Sequence, residues 1–82
     1  MEKTEDELVL EMLTDCGHSW AEERAQRVLK LNDDFKAGSL SEEEFAGEAF
    51  DLVGKEDLDN EADDLNTKAL LVTATLGVAQ VI

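Results

Sequence analysis

Apolar residues recur along this chain at intervals of three and four, and most of the runs end at a glycine. That spacing puts one apolar stripe on each of a series of helices. Residues 5–15 form the first predicted helix, with Val9, Met12, Leu13 and Cys16 as its inner stripe and Gly17 as its left-handed stop. Residues 20–36 form the second, opened by Trp20, with Ala21, Ala25, Val28, Leu29 and Phe35 on one face and Gly38 ending it. Residues 42–53 form the third, with Phe45, Ala49, Phe50 and Val53 inward and Gly54 after it. Proline and tyrosine are absent, and β-branched residues are sparse before Val72, which favours helix over strand.

The polar residues at the expected helix starts agree with this reading. Ser/Thr-x-x-Glu occurs at Thr4–Glu7, Ser19–Glu22 and Ser41–Glu44. In such a capping box the hydroxyl accepts from the third helical amide, and the glutamate reaches back to the amide of the cap residue. Leu40 before the third box and Phe45 within its first turn add the pairing of a hydrophobic staple.

The C-terminal third reads differently. Residues 55–64 are a dense acidic run, read as a short loop leading into a fourth helix that starts near residues 57–60 and continues close to the C-terminus. Leu58, Leu65, Val72 and Ala79 recur every seven residues, with Ala62, Ala69 and Leu76 recurring between them. This heptad seam predicts a long helix packed nearly antiparallel against a neighbour. Leu70, Leu71, Val78, Val81 and Ile82 lie outside the seam. A helix apolar on every side must be buried on every side. The fourth helix is therefore expected either at the centre of the fold or in contact with another chain, and those five residues are the candidate apolar docking surface. Valine and threonine from Val72 onward, and Gly77, weaken the helical signal at its end.

The expected fold is all-α, a small four-helix arrangement of three short capped helices and a longer C-terminal one, in a single domain over residues 1–82. At 82 residues the core yields only a few kcal/mol of net stability. One cysteine permits no internal disulfide, and MEKTEDELVL lacks the apolar run of a secretory signal, so a cytoplasmic location is expected. No stretch is long and apolar enough for a membrane span.

Charge narrows the function classes further. Seven basic residues stand against 21 acidic ones, for a net charge of -14. Such a field repels phosphate backbones and anionic membranes and draws in basic protein surfaces. It also serves solubility alone. Glu42, Glu43, Glu44, Glu48 and Asp51 on the third helix, with Asp57 and Asp59 beyond it, are the candidate acidic contact residues. In size and composition the chain is similar to small acidic accessory proteins of tailed bacteriophages.

Reactive groupings are few. Cys16 and His18 supply two ligands where structural zinc takes four, and their acidic surroundings disfavour a thiolate. They read as a small core residue and a hinge residue. Asp57, Asp59, Glu61 and Asp63 match positions 1, 3, 5 and 7 of a calcium loop, but Ala62 stands where glycine is needed and Lys68 where the bidentate glutamate is needed. No Gly-rich phosphate loop occurs, and one histidine cannot be set into a supported triad. Neither enzyme activity nor a cofactor or metal is expected. Trp20 is expected in the core. The expectation is a noncatalytic protein-interaction module, binding a basic partner protein and self-associating as a homodimer through its last helix. The alternatives are a DNA mimic that blocks a nucleic-acid-binding protein, with carboxylates in rows at phosphate spacing, and a small structural or assembly protein.

Overall fold

A computed structural model describes residues 4–54, 60 and 62–80. Among these residues there are four helices and no strand: α1 (Glu5–Leu13), α2 (Ser19–Lys36), α3 (Glu42–Gly54) and α4 (Leu65–Gln80). The all-α, four-helix expectation holds. Gly17 and Gly38 adopt φ of +89° and +84°, a conformation that costs an L-residue about 1–2 kcal/mol, so both turns fall where the glycines stand.

The three capping boxes form to different degrees. At Ser41 the box is complete: the Glu44 N–H donates to Ser41 Oγ at 3.2 Å, and the Ser41 N–H donates to Glu44 Oε1 at 3.2 Å. At Thr4 the first arm is present, with the Glu7 N–H donating to Thr4 Oγ1 at 3.2 Å. The Glu7 carboxylate is turned instead to Lys36, whose Nζ lies 3.3 and 3.2 Å from its two oxygens and ties the end of α2 to α1. The Ser19 box does not form as predicted. His18 occupies the N-cap with no side-chain bond, Ser19 is the first helical residue, and Glu22 accepts from the Gly17 N–H at 2.8 Å.

The core is built from all four helices. Leu10 and Leu13 of α1, Trp20, Ala21, Ala25 and Val28 of α2, and Phe45 and Ala49 of α3 meet Leu71, Ala74, Val78 and Ala79 of α4. The alanines let the helix backbones approach closely, and Phe35 stacks on Phe45 at 5.2 Å between ring centroids. Four predicted core positions are corrected, one of them the seam residue Ala69, which is exposed. Met12 is exposed because the buried stripe of α1 runs through Glu7, Leu10 and Leu13, and Met12 lies about 200° from Leu10 around the helix. Phe50 is exposed because it lies one residue past Ala49 on α3. Leu65, a seam position, is 79% exposed.

The last helix starts later than expected. Ala62, Asp63 and Asp64 are not helical, and α4 begins at Leu65 because Asp64 caps it. Asp64 Oδ1 accepts from the Asn66 N–H at 3.0 Å and the Thr67 N–H at 3.4 Å, while the Thr67 hydroxyl donates to Oδ2 at 3.0 Å. Of the proposed start at residues 57–60, Asn60 is helical but the chain leaves the helix at residues 62–64; residues 57–59, with the seam position Leu58, lie outside the described residues. From this cap α4 runs between the others and packs against all three. Its buried stripe is Thr67, Leu71, Ala74, Thr75, Val78 and Ala79; of the predicted heptad seam only Ala79 falls within it among the described residues, with Val72 half-buried at its edge and Leu65 and Ala69 exposed.

Candidate interaction surface

The faces of α4 differ in burial far more than in polarity. Between Leu65 and Gln80 the only ionisable side chain is Lys68. With Leu71 and Val78 at 0% and 5% exposure, the inner face is filled. Those two residues, read from sequence as partner-binding, are therefore in the chain's own core and unavailable to another molecule. Opposite them lie Leu65, Ala69 and Thr73, all exposed, with Val72 and Leu76 half-buried beside them and Leu70 47% exposed on the flank. The exposed apolar residues of α4 among the described residues are consequently Leu65, Ala69 and Leu70, with Val72 and Leu76 half-buried beside them. Of the three described among the five apolar residues expected there, Leu70 alone is exposed; Val81 and Ile82 lie outside the described residues.

A fixed anchor sets the N-terminal end of this face. His18 Nδ1 lies 3.2 Å from Asp63 Oδ1, and its Nε2 lies 3.4 Å from Asp64 Oδ2. Trp20 Nε1–H donates to the same Asp63 oxygen at 3.2 Å, and the indole is otherwise buried, as expected for a core residue. The Cys16 thiol points at the His18 carbonyl at 3.9 Å. The α1–α2 turn thus holds the two residues immediately before α4. Hydrogen bonds from Thr67, side chain first and then backbone, keep the Asp64 carboxyl below its ordinary range. Nothing in the sequence pattern flagged this contact, because His18 and Asp63 are far apart in the chain.

The acidic surface lies on α3. Glu42, Glu43, Glu44, Glu48 and Asp51 are all exposed, as the sequence led us to expect; Asp57 and Asp59 lie outside the described residues. The side of α3 that faces α2 is not purely negative. Glu48, Asp51 and Leu52 line an open groove opposite Arg24, Arg27 and Lys30. Arg24 holds the groove together, its guanidinium donating to the Leu52 and Trp20 carbonyls at 3.1 Å each. Leu8 and Met12 on the outward face of α1 are further exposed apolar residues that the spacing had not singled out as surface.

Among the described residues no group of three or more histidine, cysteine or acidic side chains is arranged to hold a metal ion, and no helix is long and apolar enough to cross a membrane. No protein-family model, curated protein or solved structure matches the chain.

Proposed function

We propose that the chain is a noncatalytic protein-interaction module that docks through the outer face of α4. The observation that carries this reading is the 79% exposure of Leu65, at the head of an uncharged face that continues through exposed Ala69 and half-buried Val72 and Leu76, with Leu70 exposed on its flank. Burying leucine is worth about 1.5–3 kcal/mol, so leaving one nearly bare at the start of a helix that otherwise fills the core is a cost a partner can recover. Contiguous exposed apolar surface of this kind marks interaction sites. The anchor of His18 and Trp20 on Asp63 and Asp64 supports the same reading, because it holds the docking helix in place before any partner arrives. The exposed acidic row on α3 would draw a basic partner protein toward the module.

A photoreactive side chain introduced at residue 69 tests the proposal in cells. Adducts to protein are expected there, absent from a control at Ser39 in the exposed α2–α3 turn, and lost when Leu65→Glu is added. Absence of any adduct at residue 69 would sink the reading. A second reading, the DNA mimic, draws on the five exposed carboxylates of α3. Arg27 and Lys30 beside Glu48 and Asp51 interrupt such a row, so the mimic is the less supported of the two. It requires a partner whose affinity falls steeply with salt and which DNA displaces.

A further inference from the structure

The outer face of α4 has a spacing that specifies more than stickiness. Leu65, Ala69, Val72 and Leu76 follow one another at intervals of four, three and four. Intervals of three and four are the seam of a helix that pairs with another helix. Within the chain Leu65 and Ala69 of this seam are exposed and Leu76 is half-buried, while Val72 is half-buried with part of its side chain packed on the core. The pattern is also palindromic: it reads the same in either direction about a point between Leu70 and Leu71. Two antiparallel copies of α4 related by a two-fold axis at that point set Leu65 against the partner's Leu76 and Ala69 against the partner's Val72. The leucines close the two ends and the smaller residues sit at the middle, where two helices approach most closely.

Charge selects among occupants. A basic partner would be met by the carboxylates of α3, whereas the seam itself carries no carboxylate. The one surface on which two chains of net charge -14 can meet without opposing like charges is an uncharged one. We infer that the outer seam of α4 is a homodimer interface in which two copies pair antiparallel through Leu65, Ala69, Val72 and Leu76. This rests on the reading of α4 as a docking helix and names its occupant. It also places two acidic α3 surfaces on one particle.

Sedimentation equilibrium of the purified chain at low and high sodium chloride, with two variants and a cross-linking pair, decides the matter. The natural chain is expected to be a dimer whose dissociation constant falls as salt rises, because salt screens the repulsion between the copies. Leu65→Glu is expected to weaken pairing at least about 100-fold with unchanged helicity, since a two-fold contact carries each substitution twice. Leu8→Glu, at an exposed leucine on α1, is expected to leave it intact. In a Cys16→Ser background, Leu65→Cys and Leu76→Cys chains should form a disulfide when mixed and little when oxidised alone. A chain that stays monomeric at high salt, a Leu8→Glu effect equal to that of Leu65→Glu, or ready cross-linking of Leu65→Cys alone would each overturn the proposal. A monomer in the centrifuge that still gives adducts from residue 69 to other proteins in cells would overturn self-pairing alone and leave the module reading standing.

Discussion

At the scale of single residues, α4 contains three positions whose environments set opposite expectations. Thr75 is fully buried, and its hydroxyl has no hydrogen-bond partner among the described residues. An unsatisfied buried hydroxyl costs about 1–3 kcal/mol, so Thr75→Val should stabilise the fold by about 1 kcal/mol in urea unfolding followed by circular dichroism. Leu71 is equally buried and fully apolar; Leu71→Ala should cost about 2–4 kcal/mol, enough to unfold most molecules of a domain this small. Leu65→Ala should cost well under about 1 kcal/mol in the monomer, because water already reaches most of that side chain. Equal losses at Leu65 and Leu71 would mean that the two faces of α4 have been exchanged. Gly77 adds a local constraint, since a Cβ there would strike the Asp6 carboxylate of α1. Replacing a helical glycine by alanine is otherwise worth about 1 kcal/mol. Gly77→Ala should therefore stabilise an Asp6→Ala background more than the natural chain, a difference read from a double-mutant cycle.

At the scale of elements, the caps make separable predictions. Ser41→Ala removes the hydroxyl that accepts from the Glu44 N–H, while the Ser41 N–H bond to Glu44 survives, and should cost about 1 kcal/mol, whereas Ser19→Ala, at a residue that caps nothing, should cost a few tenths. Asp64 caps α4 with its carboxylate, and its pKa is lowered in the folded chain, chiefly by the Thr67 hydroxyl. A lowered carboxyl stabilises the fold above its unfolded pKa, and that contribution is lost as pH falls through the folded value. Asp64→Ala should therefore be less stable than the natural chain at pH 7. The two should converge below the ordinary carboxyl value of 3.8, which melts at neutral and strongly acidic pH would reveal. These elements also mark what was legible in the sequence. Gly17, Gly38 and the Ser41 box act on their immediate neighbours, so their effect could be read locally, and α1–α3 end close to the predicted places. The phase of α4 could not be read that way. A helix apolar on all sides has no preferred face, and the threonines at 67 and 75 disguised the stripe that is buried. The heptad mixed environments: Leu65 and Ala69 lie on the surface, Val72 and Leu76 are half-buried, and Ala79 is in the core. The anchor from His18 to Asp63 and Asp64 left no trace in the pattern, because it depends on how the helices pack.

At the scale of the whole molecule, charge opposes folding. The Cα principal extents are 35 × 26 × 16 Å, so most charge pairs lie within about 20 Å of each other. At that separation a like-charge pair in water costs about 0.2 kcal/mol without salt, and a net charge of -14 leaves many such pairs uncompensated. Attraction works the other way at close pairs such as Lys36 on Glu7, and His18 between Asp63 and Asp64 when its ring is protonated. Partly exposed pairs of this kind contribute little, because water and salt screen them. The many weak repulsions should outweigh these attractions. Screening reaches across the molecule at about 0.01 M salt, where the Debye length is about 30 Å, and shortens to about 8 Å at 0.15 M. Raising salt over that interval should remove most of the long-range repulsion and leave the close pairs largely intact. The melting temperature should consequently rise, and each 1 kcal/mol recovered should add about 4–8 °C for a domain of this size. Melts at several protein concentrations separate this gain from any due to pairing, since only pairing depends on concentration. A melting temperature that fell with salt at every concentration would mean that the ion pairs, and not the net charge, dominate the electrostatics of the fold.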